Sequence, residues 1–212
     1  MKLYSHPRSG TNYMRALLEE ALTGKRTMAT RPTGHWSDRY MHEAPARYFD
    51  GGHKFYSRKL KGPRVYLYRD GRDVALSMWR TKRFQAVDWR GLSFSEFLRR
   101  PLDWYETPGK PSDAGLTIVE HWRAQLDSWH GRAACFVRYA DLLTDARGEL
   151  ERIARYCDAK LVCVPAELDG QGPDPSGDYR AGKWRDAFTA DDLAYFHSIV
   201  PQGHWGLHEP SA

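Results

Sequence analysis

Short apolar runs alternate with stretches of helical periodicity along the chain. The runs at residues 64–69 (RVYLYR) and 133–138 (AACFVR) are rich in apolar and aromatic residues, and they predict two buried strands. Residues 2–6 predict a short first strand that the turn at residues 7–10 ends, and residues 48–56 predict a further strand. Strands separated by helices indicate an α/β fold with a mainly parallel central sheet flanked by helices.

Apolar residues at helical spacing predict the helices between these strands. Thr11 is placed to cap the first helix, because apolar residues recur on one helical face after it. A second helix is predicted after the turn Asp70-Gly71, and the strongest helical pattern covers residues 141–157. Further helices are predicted at residues 93–100, 116–130 and 190–200, and loops at residues 101–115 and 169–183.

The length and composition are those of one globular domain. The chain has 212 residues, which predicts a single domain over residues 1–212, and 41% of them are hydrophobic. No apolar run approaches the roughly 18 residues of a membrane span, and the first residues lack the apolar core of a signal peptide. The three cysteines show no CxxC spacing, and no metal-ligand spacing is evident. We therefore expect reduced thiols, no metal and a cytoplasmic location.

The charge of the chain favours an anionic ligand. The net charge is +5 and the pI is about 9.1. The basic residues are spread along the chain, so a small anion is a better candidate than a nucleic acid or a membrane surface. The 8 Trp and 12 Tyr exceed the needs of a core. Either some of them line a pocket for a flat ligand, or the core is rich in aromatic residues.

The first candidate site is the segment at residues 5–13 (SHPRSGTNY), between a predicted strand and a predicted helix. A turn there directs backbone N–H groups toward the helix N-terminus, where the helix dipole favours an anion. Gly10 permits close approach of the backbone, Ser9 and Thr11 add hydroxyl donors, and Arg8 adds a positive fork. An ordinary capped turn is the alternative interpretation.

The second candidate site is the segment RDGRDVALS, which begins at Arg69 and also joins a strand to a helix. Arg69 and Ser77 can hold one phosphate, since Ser77 lies about two helical turns along the predicted helix. In an alternative that is compatible with this role, Asp70 and Asp73 cap the helix and pair with Arg72.

Together these segments resemble the sulfotransferase family that uses 3'-phosphoadenosine 5'-phosphosulfate (PAPS). HPRSGTNYM resembles the family's 5'-phosphosulfate loop, usually written PKSGTTW, and VYLYRDGRDVALS resembles its 3'-phosphate segment. FVRYADL resembles the strand-to-helix segment often written YEDL, and RAGKW, with Phe188 and Thr189, resembles the C-terminal segment RKGxxGDWKxxFT. Four segments in the family's order over residues 4–189 make the resemblance specific.

The resemblance implies a role for each matching residue in a P-loop-like site. It implies that Arg8 contacts the bridging oxygen of the phosphosulfate, and that Arg69 and Ser77 hold the 3'-phosphate. Tyr13 and Tyr139 match contacts to the adenine ring. The residues implied at the 5'-phosphate are Ser9, Gly10, Thr11 and Asn12, and those implied in a closing loop over the 3'-phosphate are Arg180 and Gly182.

The chain departs from the family pattern at three places. Arg8 replaces the commoner lysine and keeps its charge, and Asn12 replaces a threonine. The stretch from Arg180 to Trp184 is shorter than the matching part of the family segment RKGxxGDW. Either Arg180 or Trp184 can therefore align with its family position, but the two need not align together. The many Gly and Pro residues before it predict that residues 169–184 form a mobile lid over the product nucleotide.

The resemblance implies direct in-line transfer of a sulfonate group from PAPS to a hydroxyl or amine, with release of the desulfated product PAP and without a metal. The acceptor is expected to be a small molecule or a carbohydrate. A hydroxyl acceptor needs a general base. His53, which precedes the 3'-phosphate strand, is the leading candidate, and His35, His42 and Glu43 compete with it.

The sequence leaves two other function classes as alternatives. A P-loop kinase should show GxxxxGK[ST], and the first segment has neither that lysine nor that spacing. A non-enzymatic nucleotide-binding or nucleic-acid-binding protein is the other alternative, but a nucleic-acid binder should show a basic stripe interleaved with aromatic residues. The sequence does not identify the acceptor, whose pocket we expect residues 24–47 and 84–115 to shape.

Overall fold

A computed structural model of the protein describes residues 1–24, 50–84, 87–101, 115–165 and 180–207. Within these residues the strands are β1 (Lys2–Ser5), β2 (Asp50–Gly52), β3 (Arg64–Tyr68), β4 (Arg83–Phe84), β5 (Val87–Asp88) and β6 (Cys135–Arg138). The helices are α1 (Thr11–Thr23), α2 (Gly71–Thr81), α3 (Phe94–Arg99), α4 (Ile118–Trp129), α5 (Tyr139–Thr144), α6 (Ala146–Cys157) and α7 (Ala190–Ile199), and a 3-10 helix covers Lys183–Asp186.

Four of the strands form a parallel sheet in the order β2-β1-β3-β6. The strands β1 and β3 are neighbours, and Ser5 pairs with Leu67 at their carboxyl ends. The short strands β4 and β5 form a separate antiparallel pair. The predicted α/β fold with a parallel central sheet is therefore confirmed. None of the helices in the described part of the chain is long and apolar enough to cross a membrane.

The sheet separates two apolar clusters, because successive side chains of a strand point to opposite faces. Leu3, Val65 and Val137 are fully buried in the cluster that includes α1 and α6. Tyr4 and Tyr66 are buried in the other cluster, which includes α2 and α4. A sheet covered on both faces explains why its strands read as nearly continuous apolar runs. It also fixes the position of the loops at its carboxyl edge.

Two predicted elements differ from the structure. The helix predicted at residues 141–157 is two helices, because Asp145 leaves the helical conformation (φ −142°, ψ 70°). The Asp145 carboxylate accepts from the Gly148 N–H at 2.8 Å and so caps α6. The strand predicted at residues 48–56 is limited to β2 in its described part. A Cβ at Gly51 would lie 2.4 Å from a carbonyl oxygen of β1, so this strand approaches its neighbour closely.

Candidate active site

The two candidate segments meet at the carboxyl edge of the sheet, where β1 and β3 end. Neighbouring parallel strands place the loops that follow them side by side. Arg8, in the loop after β1, donates from Nε to the Ser77 hydroxyl of α2 at 3.1 Å. Arg69, directly after β3, donates from Nη1 to the Arg8 carbonyl oxygen at 3.4 Å. The fold therefore joins two segments whose residues lie 61 positions apart.

The N-terminus of α1 offers hydrogen-bond donors to an anion. Its cap is Gly10 (φ 93°), which supplies no side chain to the helix amides, so the predicted cap at Thr11 is wrong. The Thr11 hydroxyl forms a hydrogen bond of 2.6 Å with the Ser5 hydroxyl instead. The Ser9 hydroxyl is buried and has no hydrogen-bond partner among the described residues. Asn12 lies in the same first turn. Unsatisfied donors at a helix N-terminus suit a phosphate or sulfate group.

The aromatic residues of the site pack around Gly10. A Cβ at this position would lie 2.4 Å from the Tyr139 ring, and the positive φ also favours glycine. Tyr139 packs edge-on against Tyr13, with ring centroids 6.2 Å apart. The Arg69 guanidinium lies 4.6 Å from the centre of the Tyr139 ring. Residues from three of the four matching segments are thus in contact.

Arg69 also connects β3 to the fourth segment. Its Nη2 donates to the Arg180 carbonyl oxygen at 3.5 Å, and its own carbonyl accepts from Trp122 Nε1 at 3.1 Å. The Arg69 Nε is buried without a hydrogen-bond partner in the described part of the chain and lies 3.8 Å from an oxygen of Asp73. Distances near 3.5 Å are at the limit of hydrogen bonding. The Arg69 donors can therefore turn to a stronger acceptor.

The end of the fourth segment is anchored to α2. Asp73 accepts from the backbone N–H of Gly182 at 2.7 Å and from that of Trp184 at 3.0 Å. The Arg72 guanidinium lies 4.1 Å from the centre of the Trp184 ring. Both ends of the short stretch therefore reach the site, since Arg180 contributes its carbonyl oxygen and Trp184 its N–H. Any mobile lid would have to end before Gly182.

The acidic side chains near the site have protein partners. Of the two aspartates expected to cap α2 and pair with Arg72, only Asp70 does so within the described residues. Its Oδ1 accepts from the Arg72 N–H at 2.9 Å, and its Oδ2 accepts from Arg72 Nη2 at 2.7 Å. In the part of the chain that the structure describes, no group of three His, Cys, Asp or Glu side chains is placed to hold a metal ion.

His53 lies directly after β2 and contacts the end of β1. Its Nδ1 lies 3.0 Å from the Ser5 carbonyl oxygen and 3.3 Å from the Ser5 hydroxyl. A carbonyl oxygen can only accept, so Nδ1 carries the hydrogen in this contact. In the neutral ring Nε2 is then the nitrogen that can accept a proton. The competing candidates His35, His42 and Glu43 lie outside the described residues.

A family profile described as "Sulfotransferase domain" matches residues 53–169. The chain belongs to the sulfotransferase family. The matched range includes His53, Arg69, Ser77 and Tyr139, and it covers more than half of the 212 residues. The resemblance to sulfotransferases and the enzyme class predicted from the sequence are confirmed. No curated protein matches the chain.

Several solved structures have a similar fold and align with nearly the whole chain of this sulfotransferase. Retinol dehydratase in complex with androsterone and the inactive cofactor PAP has a TM-score of 0.58 at 17% identity, over 99% of this chain and 82% of that chain. Retinol dehydratase with retinol and PAP has a TM-score of 0.57 at 17% identity, over 100% and 82%. A mouse sulfotransferase complexed with PAP has a TM-score of 0.56 at 16% identity, over 94% and 81%. At such low sequence identities, the structural similarity establishes that the chain shares this fold.

Beside the site of this sulfotransferase lies a buried histidine pair that the sequence analysis missed. His6 and His121 are 1% and 5% exposed, and His6 Nε2 lies 3.0 Å from His121 Nδ1. His6 Nδ1 donates to the Pro7 carbonyl oxygen at 2.8 Å, so in the neutral pair Nε2 accepts and His121 Nδ1 donates. Burial, together with the nearby His121 and His53, holds the pKa of His6 well below its ordinary value. No motif reveals this pair, because its members lie 115 positions apart.

Proposed function

We propose that the protein transfers a sulfonate group from PAPS to a hydroxyl or amine of a small-molecule or carbohydrate acceptor and releases PAP. The observation that carries the proposal is the contact between the two candidate segments. Arg8, beside the N-terminus of α1, bonds to Ser77 and accepts from Arg69 through its carbonyl. PAPS carries two anionic groups on one ribose, and two adjoining groups of anion donors suit such a molecule.

The residues present fit this co-substrate. The unpartnered Ser9 hydroxyl and the amides at the start of α1 suit the 5'-phosphosulfate. The Arg69 Nη1 and Nη2 groups, whose bonds to carbonyl oxygens are 3.4 and 3.5 Å long, together with the Ser77 hydroxyl, suit the 3'-phosphate. Tyr139 and Tyr13, which pack edge-on against each other beside the start of α1, match the adenine contacts of the family.

An in-line displacement accounts for the chemistry with these residues. The acceptor oxygen forms a bond to sulfur while the bond from sulfur to the 5'-phosphate oxygen breaks, and its electron pair leaves with PAP. Arg8 stabilises the negative charge that develops on this leaving oxygen. His53 accepts the proton of the acceptor hydroxyl at Nε2, because its Nδ1 hydrogen is held by the Ser5 carbonyl.

Apolar alcohols belong among the first acceptors to test, together with phenols and sugars. Two of the solved structures described above contain androsterone or retinol. The pocket-shaping segments expected from the sequence, residues 24–47 and 84–115, lie largely outside the described residues. The acceptor class is therefore left to experiment.

The deciding experiment is a screen of acceptor classes with PAPS labelled at the sulfonate. Transfer of label to an acceptor, with release of one PAP for each product molecule, is the expected result. A parallel reaction with ATP labelled at the γ-phosphate tests the kinase alternative. Binding of neither PAPS nor PAP in titration calorimetry, together with no sulfonate transfer, would overturn the proposal.

A further inference from the structure

Asp73 is a buried carboxylate of α2 that connects two parts of the site. It is 1% exposed, and its two oxygens accept from the Gly182 and Trp184 N–H groups at 2.7 and 3.0 Å. The oxygen that binds Gly182 also lies 3.8 Å from Arg69 Nε. Gly182 has a φ of 81°, which residues with side chains rarely adopt. This turn presents both amides to one carboxylate.

The hydrogen bonds of the Arg69 guanidinium to other parts of the site are long. Its hydrogen bonds to the Arg8 and Arg180 carbonyl oxygens are 3.4 and 3.5 Å long. Its Nε has no hydrogen-bond partner among the described residues. An arginine that binds a phosphate well needs a fixed guanidinium plane and available N–H groups. The Asp73 carboxylate, 3.8 Å from Nε, restrains the plane and leaves Nη1 and Nη2 to a phosphate.

We propose that Asp73 is a positioning residue for nucleotide binding. This inference rests on the proposed function. Asp73 fixes residues 182–184 against α2 and holds the Arg69 guanidinium in the orientation that meets the 3'-phosphate. It contributes to the affinity for PAPS and PAP through Arg69 and the backbone of that segment, and it does not bind the nucleotide itself.

Electrostatics alone makes the opposite prediction. A carboxylate near a phosphate site repels the phosphate, so its neutralisation should strengthen PAP binding. The geometry decides between the two effects. The carboxylate is committed to two amides at 2.7 and 3.0 Å, and these charge-assisted bonds are lost or weakened when it is neutralised. The disordering of the segment and of Arg69 therefore outweighs the relief of repulsion.

The test compares wild-type protein with Asp73→Asn by titration calorimetry with PAP and AMP. The variant keeps the side-chain volume but turns one acceptor oxygen into an NH₂ group that faces a backbone N–H. We expect the PAP affinity to fall about ten-fold or more, as for the loss of one charge-assisted hydrogen bond, and the AMP affinity to change little. The KM for PAPS should rise more than kcat falls, and the amides of Gly182 and Trp184 should exchange faster with deuterium. PAP affinity equal to or tighter than wild type would overturn the inference.

Asp192→Asn is the matched control, because Asp192 is also 1% exposed and pairs with Arg99 at 2.6 Å. It should lower the unfolding temperature without changing the ratio of PAP to AMP affinity. If Asp73→Asn does not fold, Asp73→Glu keeps the charge but moves it by one methylene. The inference then requires weaker PAP binding in that variant, and wild-type affinity would overturn it. Wild-type protein that binds no PAP would instead contradict the proposed function.

Discussion

Among single residues, Arg69 contacts three of the four segments that resemble the family motifs. It donates to the carbonyl oxygens of Arg8 and Arg180 and lies over the Tyr139 ring. We expect Arg69→Ala to weaken PAP binding by about 1.5–3 kcal/mol, the range for a hydrogen bond to a charged group. AMP lacks the 3'-phosphate and should lose far less. Calorimetry with both ligands measures the difference, with Arg123→Ala on α4 as the control. Equal losses for the two nucleotides would reject the 3'-phosphate assignment.

Two substitutions at His53 distinguish the roles of its two ring nitrogens. Asn at this position keeps an N–H near Nδ1 that can donate to the Ser5 carbonyl, but it lacks the basic Nε2, whereas Ala removes both. We expect both variants to lower turnover on a hydroxyl acceptor by about 10²–10⁴-fold, the usual contribution of a general base. PAP affinity should stay near that of wild type.

The control for the His53 variants is the same assay on Ala substitutions of His35, His42 and Glu43, which should be mild. Near-normal turnover of His53→Asn would show that the residue is not the base. A large loss in one of the three controls would then identify the base, and sulfonate transfer itself would still stand.

The residue types of the site could be predicted from the sequence, but several of their contacts could not. The motif pattern points to Arg8 and Arg69 because basic residues after strand ends suit a phosphate, and to Ser77 because it lies about two turns along the helix that follows Arg69. It does not show that Arg8 bonds to Ser77, since that contact depends on how α2 packs beside the loop. Asp73 was expected only to cap α2 and to pair with Arg72. Its partners Gly182 and Trp184 lie 109 and 111 positions further along the chain.

At the scale of elements, the strands with strong apolar runs were predicted well. Residues 64–69 correspond to β3, an inner strand of the covered sheet, and residues 133–138 correspond to β6, the last strand in the order of the described sheet. The single helix predicted from periodicity at residues 141–157 was wrong. The apolar face continues across Asp145, although the first helix ends there. Cap chemistry at one residue decides such a boundary, and the hydrophobic pattern does not register it.

The lid expected at residues 169–184 is a testable element. Its composition, rich in Gly and Pro, gives it little apolar surface to bury. Its final residues are anchored, since Gly182 and Trp184 bond to Asp73. We therefore expect limited proteolysis to cut within residues 169–179 of the free protein and PAP to slow this cleavage several-fold. AMP is the control ligand and should protect less. Cleavage at the same rate with and without PAP would contradict the lid.

For the whole molecule, the two covered faces of the sheet and its carboxyl edge have separate roles. The faces bury the two apolar clusters, while the basic groups Arg8 and Arg69 collect at the edge. The fold thus brings two basic residues that lie far apart in the sequence to one edge of the sheet. Composition could predict an anionic ligand, but only the strand order places the anion-binding groups together.

The stability of the whole molecule should depend on the neutral state of His6. Its pKa is held well below the ordinary value in the folded protein, chiefly by burial, so at mildly acidic pH the unfolded chain binds a proton that the folded chain does not. His6 therefore permits full stability above the unfolded-state pKa of about 6.5, and stability is lost as pH falls from there toward the folded-state pKa. We expect the unfolding temperature of wild type to fall between pH 7.5 and pH 5.5, and that of His6→Asn to fall less. Calorimetry across this range measures both, with His197→Asn on α7 as a control that should follow wild type. Parallel curves for wild type and His6→Asn would show that this buried histidine does not set the acid sensitivity of the fold.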